Sequence, residues 1–401
     1  MDFGLDETQE ALRDLAAGLL AKEASQERLE AHERGGAPYD ERLWQALRES
    51  GLTAICVPEH AGGAGLGPVE MAVVLREAGA RAAPGPLAAT LVSTLAASRY
   101  GTPDQQKRLT GAAVSTVAIR EPGRALADPP ATTAERKAGG WALTGRKCGV
   151  AYPDGDLLVT ADEGLFLVPT PGSTPTAETA VPASGSAPTA ETTVPTSGSA
   201  PTAEATAPAP GIAVPASGSA SGGEAAAVVA VSEFASTGEV VATVTFDAAP
   251  AERVAGPEAV AGVRHLYTAA TAAQASGVLA GALRLTTEHV RNRKQFGRAL
   301  AEFQAVTTQV ADVYIAARAL DVAMWSGAWR LAEGLPAEED LALAAYHTSE
   351  AARALYTCQH LHGGLGLDVT YPLHRYFAHA KHLAHLLGGA DAQLDLIGAL
   401  A

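Results

Sequence analysis

The spacing of apolar residues changes twice along this chain, and that limits the folds open to it. From Leu5 to about residue 100, and again from about residue 257 to the end, apolar residues recur at steps of three and four. That is the spacing of amphipathic helices. Between them lie short strand-like runs: Thr116–Arg120, Trp141–Lys147, Leu157–Val159, Leu165–Val168, Ala227–Val231 and Val240–Phe246. Turn-forming groups such as Glu121-Pro122-Gly123 separate these runs, as in a small β domain. The expected plan is an N-terminal helical domain over 1–114, a β domain over 115–254 and a C-terminal helical bundle over 255–401. A chain of 401 residues is long enough for two or three such units.

Helices are expected over 5–33, 39–50, 68–82 and 86–100, with another starting at Gly101-Thr102-Pro103-Asp104. In the last third, Val306, Val310, Val313, Ala317, Leu320 and Met324 alternate steps of four and three, the seam of a bundle helix. Further helices are expected over 337–360 and, as the last, about 373–387. The Gly-rich run Ala61-Gly62-Gly63-Ala64-Gly65 lacks the spacing of a phosphate-cradling loop and reads as a tight turn. Residues 170–224 repeat a Gly-Ser-x-Pro-Thr-Ala-Glu unit almost without large apolar side chains. Such a segment buries too little to offset its ordering entropy, so it is expected to be disordered or an extended excursion.

The formal net charge of −15 argues against a general nucleic-acid binder. Cys56, Cys148 and Cys358 are far apart and form no metal-ligand spacing. The first residues are acidic, and no apolar run approaches the roughly 18 residues of a membrane span. A soluble cytoplasmic setting is the default expectation.

Against that acidic background, Arg291-Asn292-Arg293-Lys294-Gln295-Phe296-Gly297 concentrates positive charge beside an aromatic ring, with Phe303-Gln304 close behind. Local composition favours a solvated helix end that complements the helix dipole. The competing reading is a docking site for a phosphate-bearing cofactor, with arginine as a forked donor.

The ordered motif set changes that balance. Val57-Pro58-Glu59-x-x-Gly62-Gly63, Glu121-Pro122-Gly123, Leu143-Thr144-Gly145-x-Lys147 and Phe246-Asp247 with Ala251-Glu252-Arg253 occur in this order. Arg293–Gly297 with Phe303-Gln304 follows, and then Leu361-His362-Gly363-Gly364-Leu365-Gly366 with Pro372-Leu373-His374-Arg375. With these motifs on a helix–β–helix frame, the chain resembles the acyl-CoA dehydrogenases, residues 170–224 excepted. The resemblance implies an α+β multidomain fold ending in a four-helix bundle. It also implies oxidation of an acyl-CoA to its 2,3-enoyl form, with FAD taking the hydride and a Glu carboxylate taking the α-proton.

The sequence departs from the family where that chemistry is done. The two family positions for the Glu base fall on Leu387 and Tyr267. Leucine accepts no proton, and a phenol with a reference pKa near 10 is a poor base. Asp391 is four residues from the first position, too far to replace it. The flavin-facing Thr before Glu121 is Arg120, and the small residues and Ser after Glu-Pro-Gly fall on Arg124-Ala125-Leu126. The aromatic lid and hydroxyl expected after Lys147 fall on Gly149 and Ala151.

By contrast, Arg293, Gln295, Phe296 and Gln304 match family positions that contact the phosphates or adenosine of an FAD seated in a neighbouring subunit. Gly363 and Gly364 match another part of that contact, and His360 stands where a Gln is usual. The resulting expectation is a non-catalytic subunit of a heteromeric acyl-CoA dehydrogenase. It would pair with a catalytic subunit in an α2β2 assembly, as in actinobacterial enzymes of sterol side chains, and complete a shared FAD site. A homo-oligomeric enzyme with another base, and a purely structural partner subunit, are the alternatives. His374, Arg375 and His379 read as decoration of a helix face.

Overall fold

The computed structural model describes residues 4–111, 114–169 and 227–401. The chain opens with α1 (Glu7–Glu23), α2 (Gln26–Gly35), α3 (Glu41–Glu49), α4 (Pro68–Ala80), α5 (Leu87–Tyr100) and α6 (Pro103–Gly111). The single helix expected over 5–33 is therefore two, broken at Ala24-Ser25. The breaks are set by local chemistry. Asp6 caps α1 through a reciprocal pair with Gln9, and Asp40 accepts from the backbone N–H groups of Arg42 and Leu43. Both side chains satisfy donors that a helix start leaves unpaired.

The β domain contains β1 (Thr116–Ala118), β2 (Thr133–Lys137), β3 (Gly140–Ala151), β4 (Leu157–Ala161), β5 (Gly164–Val168), β6 (Val228–Phe234) and β7 (Val240–Ala255). The sheet order is β1-β4-β5-β7-β3-β2. Strand β7 is the spine. One edge pairs with β3, while the other is shared between β6, from Val240 to Phe246, and β5, from Glu252 to Ala255. β4 and β5 are buried throughout, which matches their uninterrupted apolar sequence. The expectation for 170–224 lies outside the described residues.

The last third holds α7 (Glu258–Asn292), a two-strand hairpin of β8 (Lys294–Gln295) and β9 (Arg298–Ala299), then α8 (Gln304–Ala332), α9 (Glu338–His362), α10 (Leu373–Leu386) and α11 (Gly389–Leu400). Of the expected seam, Val313, Ala317, Leu320 and Met324 are buried. Helix α7 crosses α4 with almost no side chain between them. A Cβ at Gly79 would overlap the carbonyl of Gln274, and one at Gly277 would overlap that of Arg76. Beside this crossing, Arg76 donates to Ser276 at 3.0 Å and to both oxygens of Asp321 at 3.3 Å. Small residues let the backbones touch, and the ion pair locks α4, α7 and α8 together.

One reading is corrected here. Arg375 does not decorate a helix face: it is buried, and its guanidinium donates to both oxygens of Glu33 at 2.6 and 2.9 Å. His379 is buried as well. The fork joins α10 to α2. Its partner is far away in sequence, so local pattern could not reveal it.

Candidate functional site: an altered cleft and an exposed hairpin

Two regions carry the candidate residues. The first is the cleft between the β domain and the bundle. At its back, Glu121 and Lys147 join the Glu-Pro-Gly and Leu-Thr-Gly-x-Lys motifs. Lys147 is fully buried, and its Nζ donates to Glu121 at 2.7 Å and to Thr160 Oγ1 at 3.1 Å. Glu121 also accepts from the N–H groups of Ala131 and Thr132, at 2.6 and 2.9 Å, and from the Thr132 hydroxyl at 2.6 Å. Burial would raise the Glu121 carboxyl, but Lys147 and these donors outweigh it and hold the group down at about 2. A carboxylate so fully engaged is a structural anion, not a base.

Arg120 projects from the end of β1 across the cleft. Its Nη2 donates to the His385 carbonyl at 3.4 Å. Its Nη1 lies where a side chain on residue 149 would begin, since a Cβ at Gly149 would stand 3.0 Å away. Gly149 sits on an irregularity of β3, with φ of 61°. The two departures are therefore coupled. Removing the side chain at 149 makes the room that the guanidinium of Arg120 uses. An isoalloxazine ring does not fit this arrangement: the cation crosses the space, and no hydroxyl or aromatic lid stands at the matching positions.

The two residues that sequence alone sets at the expected base positions are poorly suited to proton abstraction. Leu387 is buried at the end of α10, and its carbonyl accepts from Gln393 at 2.5 Å. Burial pushes the Tyr267 phenol up to about 12, further from a useful base. Asp391 is exposed in the first turn of α11. A cavity of about 310 Å³ lies beside Leu387 and Arg120.

The second region is the end of the bundle around the β8–β9 hairpin. Helix α7 stops at Asn292, and the Arg293 N–H closes on the His289 carbonyl at 2.8 Å. The hairpin turns through Phe296 and Gly297, with φ of 53° and 80°. That geometry suits a two-residue turn of right-handed twist, but it is costly for phenylalanine. The Phe296 ring is 92% exposed. A large apolar side chain in a strained turn and in water points to a role beyond folding.

The hairpin is braced from behind. The Arg298 guanidinium stacks over the Phe303 ring at 3.9 Å, and Phe303 meets Phe296 edge-on at 6.3 Å. Gln304 opens α8 and is exposed, as are Arg293 and Gln295. The Gly363-Gly364 turn and exposed His360 belong to the same end of the molecule. His289 and His362 stack there with ring centroids 4.3 Å apart, fastening the end of α7 to the end of α9. Burial lowers both imidazole pKa values, which disfavours a positive charge on the stack. This pair was not legible in the sequence, although His362 lies within one of the motifs and His289 just before another. The exposed donors, an aromatic ring and two glycines without side chains form a set suited to the diphosphate and adenosine end of FAD.

The family model "Acyl-CoA dehydrogenase, N-terminal domain" matches residues 6–116, and "Acyl-CoA dehydrogenase, C-terminal domain" matches residues 266–400. Acyl-CoA dehydrogenase FadE28 of Mycobacterium tuberculosis is 35% identical, over 100% of this chain and 98% of that protein. The chain belongs to the acyl-CoA dehydrogenase family. Among solved structures, the Tcur3481-Tcur3483 steroid ACAD matches with a TM-score of 0.80 and 32% identity, over 98% of this chain and 97% of that one. The ChsE4-ChsE5 complex from Mycobacterium tuberculosis also matches with a TM-score of 0.80, at 26% identity, over 100% of this chain and 98% of that one. Both of those structures are named as pairs of different chains. The family fold agrees with the α+β plan expected from sequence. No helix among the described residues is long and apolar enough to cross a membrane.

Proposed function

We propose that this chain is a non-catalytic subunit of a heteromeric, FAD-dependent acyl-CoA dehydrogenase of the cytoplasm. The observation that carries the reading is the cleft: Leu387 and Tyr267 hold both family base positions, and Arg120 crosses the flavin face. Such a cleft has no carboxylate at either family base position, and Arg120 lies across the place expected for the ring. The hairpin end supports the other half of the reading. Arg293, Gln295, Phe296 and Gln304, with His360, Gly363 and Gly364, would hold the diphosphate and adenosine of an FAD whose ring lies in a catalytic partner. When bound there, FAD supplies hydride acceptance, while this chain's residues bind and orient its far end. Exposed Tyr314 and Ile315 on α8, with Leu367 and Val369 beyond α9, offer apolar surface for that partner. The α2β2 stoichiometry and a steroid side-chain CoA thioester as substrate are proposed by likeness to the named heteromeric relatives.

The test is co-expression with a candidate catalytic subunit, followed by measurement of bound FAD and acyl-CoA oxidation. The chain alone should be colourless and inactive, and the complex yellow and active. A yellow, active preparation of this chain alone would overturn the proposal.

A further inference from the structure

The cavity beside Leu387 has a chemistry that the heteromeric reading does not use. At about 310 Å³ it falls within the size range of small-molecule sites. Its walls are largely aliphatic, with Leu126, Leu341, Leu387 and Leu396 among them. Arg120, Arg124 and Arg264 also line it, against one carboxylate, Glu338. In a chain of net charge −15, that is a local reversal of sign.

The three arginines are not equally engaged. Arg124 stands 3.7 Å from Glu121 and donates to the Pro129 carbonyl at 2.9 Å. Arg120 and Arg264 have no carboxylate within ion-pair distance among the described residues. Arg120 donates only to the His385 carbonyl, at a long 3.4 Å. Arg264 uses Nη1 alone, on the carbonyls of Leu126, Ala127 and Asp128 at 3.1, 2.6 and 2.8 Å. Its remaining donors face no protein acceptor in the structure described. Two half-buried guanidinium groups without carboxylate partners line a largely aliphatic cavity, a combination that suits an anion with an apolar body.

We propose that this cavity binds an amphipathic monocarboxylate, its carboxylate held by Arg120 and Arg264 and its hydrocarbon body packed against the leucines. Glu338, which also lines the cavity, opposes a second negative charge, so a single carboxylate fits better than a pyrophosphate or a coenzyme A. The proposal is for binding alone: His265, Thr268 and Glu338 also line the cavity, and no reaction is assigned to them. The inference concerns this chain's own cleft and does not depend on the heteromeric reading.

The full-length chain alone is titrated calorimetrically with decanoate and with deoxycholate, each below its aggregation threshold. Decylamine, coenzyme A and FMN serve as comparison ligands. Both carboxylates are expected to bind at one per chain, and decylamine is not. Arg120→Gln should weaken carboxylate binding by about tenfold or more, the loss typical of one charge-assisted contact. Leu396→Trp, which fills the pocket, should abolish binding while Arg120→Gln keeps the fold readable by circular dichroism. Absence of carboxylate binding, equal binding by Arg120→Gln, or decylamine binding as tightly as decanoate would each overturn the proposal. So would coenzyme A or FMN binding more tightly and displacing decanoate, because the pocket would then be a thioester or flavin site. FAD content and turnover of a complex are not read in this experiment, so its failure is distinct from failure of the proposed function.

Discussion

The Glu121–Lys147 pair and the Arg293 hairpin are both family motifs, yet they keep their residues for opposite reasons. The pair is buried and saturated with hydrogen bonds. The hairpin is exposed, strained at Phe296 and poorly packed on its outer side. A motif held in a core explains itself through the fold. A costly motif held in water needs a partner or a ligand. In front of the buried pair, at Arg120, Gly149 and Leu387, the cleft departs from the family pattern.

The largest way to break the comparison is Lys147→Met. It leaves the Glu121 carboxylate buried without its cation, so stability should fall by about 3 kcal/mol, measured by urea denaturation. If the cost is under about 1 kcal/mol, the pair is not the hub described. A pH series gives a second handle. The Glu121 pKa is depressed from 4.5 to about 2, so its contribution is present above pH 4.5 and lost as pH falls from there towards 2. Glu121→Gln should make that acid limb shallower, and an unchanged limb would remove the assignment.

The hairpin should answer in the reverse sense. Arg293→Ala is expected to leave the melting temperature of the chain unchanged but to reduce FAD retention by a complex about tenfold. Retention unchanged from wild type would strip Arg293 of its role. The smallest effect is the most pointed. Phe296→Asn suits a positive φ better, so it should stabilise the isolated chain by up to about 1 kcal/mol. The same change should weaken the complex. A variant that gains in both would show that the strain serves nothing.

How much of this was readable beforehand follows from physical range. Helices and buried strands announced themselves through period, and β4 and β5 through unbroken apolar runs. Strand β2 was missed because Thr133–Lys137 is almost wholly exposed and carries no alternation. Helix α11 was missed because Gly388 and Gly389, both with positive φ, read as a terminus. Only Gln393 is buried in that helix, so its apolar stripe is weak. At the site, the loss of a hydroxyl at Arg120 was legible, but not that its side chain occupies the room left by Gly149. That is a relation between two strands, invisible in either alone. The His289–His362 stack and the Glu33–Arg375 fork were hidden for the same reason.

The crossing of α4 and α7 has a consequence for how this chain can be recombined. Gly79 and Gly277 bring two backbones into contact although the whole β domain separates them in sequence. A chimera that exchanges only the N-terminal helices would break this crossing wherever the donor carries a side chain at the position of Gly79. A chimera that exchanges the β domain alone would not disturb this crossing. In shuffling experiments the two helical thirds should therefore be inherited together, with the β domain as the exchangeable cassette.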